Sequence, residues 1–212
     1  MRLFKKYAGF LVAVSVFAGT AMPACAENVT LVDIQKQNPR IFTEIRYKTK
    51  NNFVGQPLYP ADARVFLREE AAGALFRVQA ALEKEGLGLK IYDGYRPLSV
   101  QKIMWAKYPV EGYVANPAKG SNHNRGMAVD LTLVDKNGKE LPMTSEYDEF
   151  SERAHRDYKG GTAEQRANRQ KLEDAMQKED FHGISTEWWH FDYKNAKQYP
   201  VLDLPFSEVR EK

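Results

Sequence analysis

The sequence predicts an α+β fold: a single domain whose central, mainly antiparallel sheet is flanked by helices. Three observations carry that prediction. Apolar residues recur at helical spacing at Leu67, Ala71, Leu75, Val78 and Leu82, and at period two at Met127, Val129, Leu131 and Leu133. A turn signal after the second segment folds the chain back on it, which makes the neighbouring strands antiparallel. No Ser/Gly-rich linker, like-charge block or internal repeat divides the chain, whose 212 residues are 43% hydrophobic and 28% charged, the proportions of an ordinary globular protein.

Residues 1–26 stand apart from this domain. Arg2, Lys5 and Lys6 precede an apolar run over residues 7–18, no acidic residue occurs, and the stretch ends in Ala24-Cys25-Ala26. A charged start, a short apolar middle and a small-x-small ending form the pattern of a secretory signal. The run is too short to span a bilayer comfortably. The expectation is therefore a signal peptide over residues 1–26 and one exported domain over residues 27–212, without stable membrane insertion after cleavage. A second reading makes Met22-Pro23-Ala24-Cys25 a lipoprotein site with Cys25 lipidated. Cleavage after Ala26 removes the one cysteine, and the three basic residues account for the whole formal charge of +3. A neutral domain argues against nucleic acid as partner, because phosphate binding needs clustered, unpaired Lys and Arg.

Within the domain, the helical periodicity predicts a helix over residues 67–85, stopped by Gly86 and Gly88. A short strand over residues 89–93 follows. Asp93-Gly94 turns the chain, and Pro97 holds Arg96 out of the α region before a second helix over residues 99–107. From Met127 the alternation predicts a strand with Ala128, Asp130 and Thr132 on its polar face. Asp135-Lys136-Asn137-Gly138 reads as a hairpin turn into a strand over residues 139–143. After Gly160-Gly161, Thr162 and Gln165 form a capping-box pattern for a helix reaching Lys178. The aromatic stretch over residues 188–193 is β-prone.

The chemistry lies in the segment Ser121-Asn122-His123-Asn124-Arg125-Gly126-Met127-Ala128-Val129-Asp130 and in Glu187-Trp188-Trp189-His190. Asp130 falls between Val129 and Leu131 on a strand, where a carboxylate partly out of water needs a cation or several donors. Zinc supplies that cation, with His123 approaching from the loop before Gly126 and His190 from the later strand. Two histidines, one carboxylate and an open fourth position make the donor set of a catalytic zinc site, so one Zn2+ per chain is expected, held in a cleft. Glu187 lies three positions before His190, and residues three apart on a regular strand face opposite sides. It reaches the site only from the turn entering the strand, and there it is a general base. Arg96, held extended by Pro97, is the candidate to stabilise an oxyanion.

Each of these residues also has an ordinary reading alone: His123 as a loop histidine, Asp130 as a turn carboxylate, Glu187 as a surface charge, Trp188 and Trp189 as core. Jointly they favour the site, because two of the chain's 4 histidines fall in these two segments. His155 and His182 lie in polar surroundings and are read as non-ligands, with His182 the nearer substitute.

Asp93-Gly94-Tyr95-Arg96-Pro97, the Ser-x-His-x6-Asp segment with Leu131-Thr132-Leu133 after it, and Glu187-Trp188-Trp189-His190 resemble the VanX-type D-alanyl-D-alanine dipeptidases. These belong to a wider group of zinc D,D-peptidases that includes the D,D-carboxypeptidases and the Hedgehog signalling domain. Asn51-Asn52-Phe53-Val54-Gly55 and Glu146-Tyr147-Asp148-Glu149-Phe150 extend the resemblance, which runs over about residues 29–206. It implies a zinc ion held by His123, Asp130 and His190, a base at Glu187 and an electrostatic stabiliser at Arg96. It also implies that Asp148 and Tyr47 bind the ammonium of a small dipeptide and that Ser121 holds its carboxylate. Met127 departs from the family pattern, in which a smaller residue is common after Gly126. The signal segment departs from the cytoplasmic members and implies hydrolysis of D-Ala-D-Ala in the periplasm, for cell-wall recycling or scavenging. Two other functions use the same residues: a zinc D,D-carboxypeptidase on longer peptidoglycan stems, and a non-catalytic zinc-bearing binding module. Keeping both Glu187 and Arg96 speaks against the module.

Overall fold

The computed structural model describes residues 29–212, so the expected signal segment lies outside the described residues. In chain order the elements are β1 (Thr30–Asp33), α1 (Ile34–Gln37), β2 (Phe42–Thr43), β3 (Phe66–Leu67), α2 (Glu69–Glu83), β4 (Leu87–Asp93), α3 (Leu98–Lys107), β5 (Ala128–Asp135), α4 (Ala163–Gln177), β6 (Phe181–Ile184), β7 (Glu187–Tyr193) and β8 (Arg210–Glu211). A five-stranded sheet runs in the order β2-β4-β5-β7-β6. Only its edge pair β2 and β4 is parallel, so the mainly antiparallel sheet and the α+β class are as expected. A second sheet, β3-β1-β8, was not anticipated; it ties the two ends of the described chain together, with Thr30 opposite Arg210. Among the described residues no helix is long and apolar enough to cross a membrane.

The helices form where the spacing placed them. Ala71, Leu75, Val78 and Leu82 are the buried stripe of α2, and with Leu172 and Met176 of α4 they share one core with Val129, Leu131 and Leu133 of β5. α2 begins two residues later than expected because Phe66 and Leu67 are drawn into β3 by pairing with β1. Pro97 caps α3. Thr162 and Gln165 form the reciprocal capping box of α4, a device worth about 1 kcal/mol.

β5 keeps the expected alternation, with Ala128, Asp130 and Thr132 as buried as Val129 and Leu131, and one other strand expectation needs correction. The turn at residues 135–138 forms, with the Asp135 carboxylate accepting the Asn137 and Lys139 N–H groups, but no strand follows it. Pairing there is confined to an isolated bridge of Val134 with Glu140, flanked by the Asp135 N–H on the Lys139 carbonyl and the Leu141 N–H on the Leu133 carbonyl. Pro142 comes next and has no N–H to extend the ladder.

The register of the central strands prepares a site. Asp93 on β4 lies opposite Asp130 on β5, and Asp130 lies opposite His190 on β7. Directly opposed residues share a face of a sheet, so three polar side chains form one row across three neighbouring strands.

Candidate metal centre and its cavity

His123 comes to this row from a 3-10 turn, His123–Arg125, which Gly126 closes at φ +70°. A residue with a β-carbon resists that left-handed conformation by about 1 kcal/mol, and a β-carbon here would also stand 3.2 Å from Leu31. The turn aims the His123 ring inward. Its Nε2 is 3.1 Å from His190 Nδ1 and 3.2 Å from Asp130 Oδ1, and His190 Nδ1 is 3.0 Å from the same Asp130 oxygen. All three side chains are buried.

The outer nitrogen of each ring is already committed. His123 Nδ1 lies 2.8 Å from the Gly94 carbonyl, and a carbonyl only accepts, so the proton is on Nδ1 and the Nε2 lone pair faces inward. Asp192 Oδ1, 2.9 Å from His190 Nε2, fixes the second ring in the same way. Two nitrogen lone pairs and a carboxylate oxygen therefore converge, and they repel one another unless a positive charge lies among them. The pull on such a charge is visible in the ligands. Burial opposes ionisation of His190, yet Asp192 and Asp130 outweigh it and raise the ring's pKa well above its ordinary value. Burial likewise works against the Asp130 carboxylate, but His123 and His190 hold it well below the usual range. A thiolate-free set of two nitrogens and one oxygen fits zinc with a coordination position left open.

The same row continues into a cavity of about 230 Å³, and every other residue singled out in the sequence lines it: Glu187, Arg96, Ser121, Asp148 and Tyr47. Glu187 is the first residue of β7, entered from the turn at residues 185–186. Burial pushes its carboxyl up to about 8, the range of a base working near neutrality. Arg96 is clamped: Nε and Nη2 donate to Asp93 Oδ2 at 3.0 and 2.7 Å, and Nη1 donates to Gln101 Oε1 at 2.8 Å. Its Nη2 stands 3.8 Å from Asp130 Oδ2, so the guanidinium lies beside the converging ligands with its plane fixed. Ser121 Oγ accepts the His123 N–H at 3.2 Å.

Asp148 occupies the left-handed region at φ +61°. Its Oδ1 accepts the Tyr47 hydroxyl at 3.1 Å and its Oδ2 the Phe53 N–H at 3.2 Å. Both donors are neutral. Burial, with the negative charge of Asp130 adding to it, pushes the Asp148 carboxyl up to about 7. Asp148 is half-buried, and Arg96 offsets the upward push only in part; a carboxylate drawn partly out of water on neutral donors is costly, and a cationic ligand relieves it.

Residues 27–212 match the peptidase M15 family described as D-Ala-D-Ala dipeptidase. The chain belongs to this family. The D-alanyl-D-alanine dipeptidase of Escherichia coli (strain K12) is 37% identical over 182 residues, covering 86% of this chain and 94% of its own. That of Enterococcus faecium is 31% identical, covering 76% and 91%. Among solved structures, the LD-carboxypeptidase LdcB is similar at 26% identity with a TM-score of 0.41, over 69% of this chain and 71% of its own. As an M15 peptidase the protein is a zinc metallopeptidase, and among the described residues His123, Asp130 and His190 form the group that could hold the metal.

Four further residues of this M15 site escaped the sequence reading. Asp93 was read as a turn residue, and only the register between β4 and β5 shows that it faces Asp130. Gln101 is buried on α3 and holds Arg96. Tyr147 donates its hydroxyl to Asp130 Oδ2 at 3.0 Å. Asp192 had a signal: it lies two positions after His190, and residues two apart on a strand share a face. The histidines read as non-ligands stay away from the metal centre. His155 Nε2 meets the Tyr113 hydroxyl at 3.0 Å, and His182 is exposed on β6.

Proposed function

We propose that this M15 peptidase hydrolyses the free dipeptide D-Ala-D-Ala to two molecules of D-alanine. The observation that carries the reading is Asp148, a half-buried carboxylate with neutral hydrogen-bond partners lining the same cavity as the candidate metal ligands. A free dipeptide presents an ammonium one residue from its scissile bond, and Asp148 is placed to take it. The cavity volume of about 230 Å³ is below the roughly 300–1,000 Å³ of ordinary small-molecule pockets, which suits a ligand of this size.

His123, Asp130 and His190 would hold one zinc ion. When bound, zinc polarises the scissile carbonyl and lowers the pKa of water toward about 7. Glu187 takes a proton from the attacking water as its oxygen bonds to the carbonyl carbon. The same carboxyl returns that proton to the departing amine as the C–N bond breaks. Arg96, with its guanidinium plane already set by Asp93 and Gln101, faces the charge that develops on the carbonyl oxygen. Tyr47 orients Asp148 toward the ammonium, and Ser121 holds the substrate carboxylate.

The charged start, apolar run and Ala24-x-Ala26 ending support export, and an exported dipeptidase suits recycling or scavenging of wall-derived dipeptide in the periplasm. The deciding experiment measures zinc content of the purified domain together with its turnover of D-Ala-D-Ala and of a stem pentapeptide. One zinc per chain and strong preference for the dipeptide are expected. Preference for the pentapeptide would make it a D,D-carboxypeptidase, and stoichiometric zinc without turnover of either would make it a binding module.

A further inference from the structure

β6 and β7 do not pair as a simple hairpin. Phe181 opposes Tyr193, His182 opposes Asp192 and Gly183 opposes Phe191, but the next pair is Ile184 with Glu187. Residues 188–190 are thus an excursion on β7 without counterparts on β6. The excursion is what allows Glu187 and His190, three apart in sequence, to line one cavity, which a regular strand forbids. It also leaves carbonyl groups on that side of β7 in need of donors.

Arg156 supplies them. Its Nη2 donates to the carbonyls of His190 at 2.6 Å and Trp188 at 3.2 Å, and its Nε donates to the carbonyl of Ile184 at 2.8 Å. Its backbone N–H donates to Ser185 in the intervening turn, at 3.0 Å. The guanidinium carbon sits 4.3 Å over the Phe191 ring, and the side chain is only 10% exposed. The space it uses exists because residue 183 is glycine: a β-carbon there would lie 1.9 Å from Arg156 Cζ. One planar fork therefore clasps two carbonyls inside the excursion, those of Trp188 and His190, together with that of Ile184 on β6. Burial lowers the Arg156 pKa to about 10, so the group stays charged near neutrality. Arg156 follows Asp148 by only eight residues, so the segment carrying the proposed ammonium site also braces the strand carrying the base and a metal ligand.

We propose that Arg156 is a positioning residue, whose guanidinium holds the excursion of β7 open and so sets Glu187 relative to the metal ligand His190. The Glu187 half of this proposal rests on the dipeptidase reading; the His190 half does not.

The test uses Arg156→Lys and Arg156→Met in the whole exported domain. Three properties are read on each folded variant: zinc affinity by chelator competition, the visible absorption of the cobalt-substituted protein, and kcat and KM for D-Ala-D-Ala. Outer partners of metal ligands typically change affinity or activity by about 10–100-fold. Both variants are expected to lose about tenfold in zinc affinity and to show shifted cobalt bands. Their kcat is expected to fall about tenfold with little change in KM, the lysine variant less affected than the methionine. A folded variant with zinc affinity, cobalt spectrum and kcat all within about twofold of the parent overturns the proposal. Failure of both variants to fold also overturns it, by reducing Arg156 to a stability role. If the parent does not cleave D-Ala-D-Ala, the functional reading fails, while zinc affinity and the cobalt bands still decide whether Arg156 sets His190.

Discussion

The Tyr147 hydroxyl donates to Asp130 Oδ2 at 3.0 Å, leaving Asp130 Oδ1 as the oxygen that faces both histidines. Tyr147 thus decides which carboxylate oxygen is offered to the metal. Its ring packs against Tyr92 at 4.6 Å and Trp189 at 5.3 Å between centroids, so removing the hydroxyl leaves the packing in place. Tyr147→Phe is expected to fold normally and to bind zinc about tenfold more weakly. Chelator competition measures this; unchanged affinity would show that the hydroxyl does not orient the ligand.

Glu187→Gln separates the base from the ligands. The amide is nearly isosteric but cannot accept a proton, and Glu187 is outside the converging donor set. Zinc content is expected to stay at one per chain while kcat falls by about 10²–10⁴-fold. Turnover near the parent value in that variant would remove Glu187 from the proposed chemistry.

Arg96 makes its hydrogen bonds through three different nitrogens, to Asp93 and Gln101. A lysine has one nitrogen on a flexible stem and reproduces neither the plane nor the fork. Arg96→Lys is expected to keep zinc and lose about 10²–10³-fold in kcat. A single-turnover measurement giving more than about a tenth of the parent rate would contradict this role.

The convergence of His123, Asp130 and His190 into a group that could hold a metal was legible because metal chemistry restricts residue types and the chain has few histidines. The helices were legible because α2 and α4 each bury one stripe and α4 carries its own cap. What stayed hidden depends on partners distant in sequence. Asp93 reads as a turn residue until the irregular register between β4 and β5 sets it opposite Asp130. The β3-β1-β8 sheet joins two-residue strands to segments far along the chain, too short to show any period. Arg156 looks like a surface charge until the gap at residues 188–190 and the missing β-carbon of Gly183 are seen together.

The export reading has its own measurement. With a charged start, a short apolar run and Ala24-Cys25-Ala26, the processed protein is expected to begin at Glu27 and to fractionate with the periplasm. Intact mass of the exported protein tests this, and a mass corresponding to a lipid-bearing Cys25 start would replace it with a membrane-anchored lipoprotein.

Substrate length must be read by groups other than the metal, base and oxyanion donor, since any peptide bond satisfies those three. On the proposed dipeptidase reading, Asp148 is the group that distinguishes a free amine from an acylated one. Its carboxyl is pushed up to about 7, first by burial and then by Asp130, so it is neutral below that pH and charged above it. Only the charged form attracts an ammonium. For D-Ala-D-Ala, KM is therefore expected to rise as pH drops through about 7, whereas kcat follows the Glu187 carboxyl, pushed up to about 8, because the bound ammonium itself holds Asp148 ionised. An N-acetylated dipeptide brings no charge and leaves Asp148 desolvated and unpaired, a cost of a few kcal/mol, or on the order of 10²-fold in kcat/KM. Asp148→Asn removes the charge without changing the shape. It is expected to abolish the preference for the free dipeptide and to flatten the KM rise on the acid side. If the parent cleaves both substrates equally well, or if the substitution leaves their ratio unchanged, Asp148 does not read the ammonium.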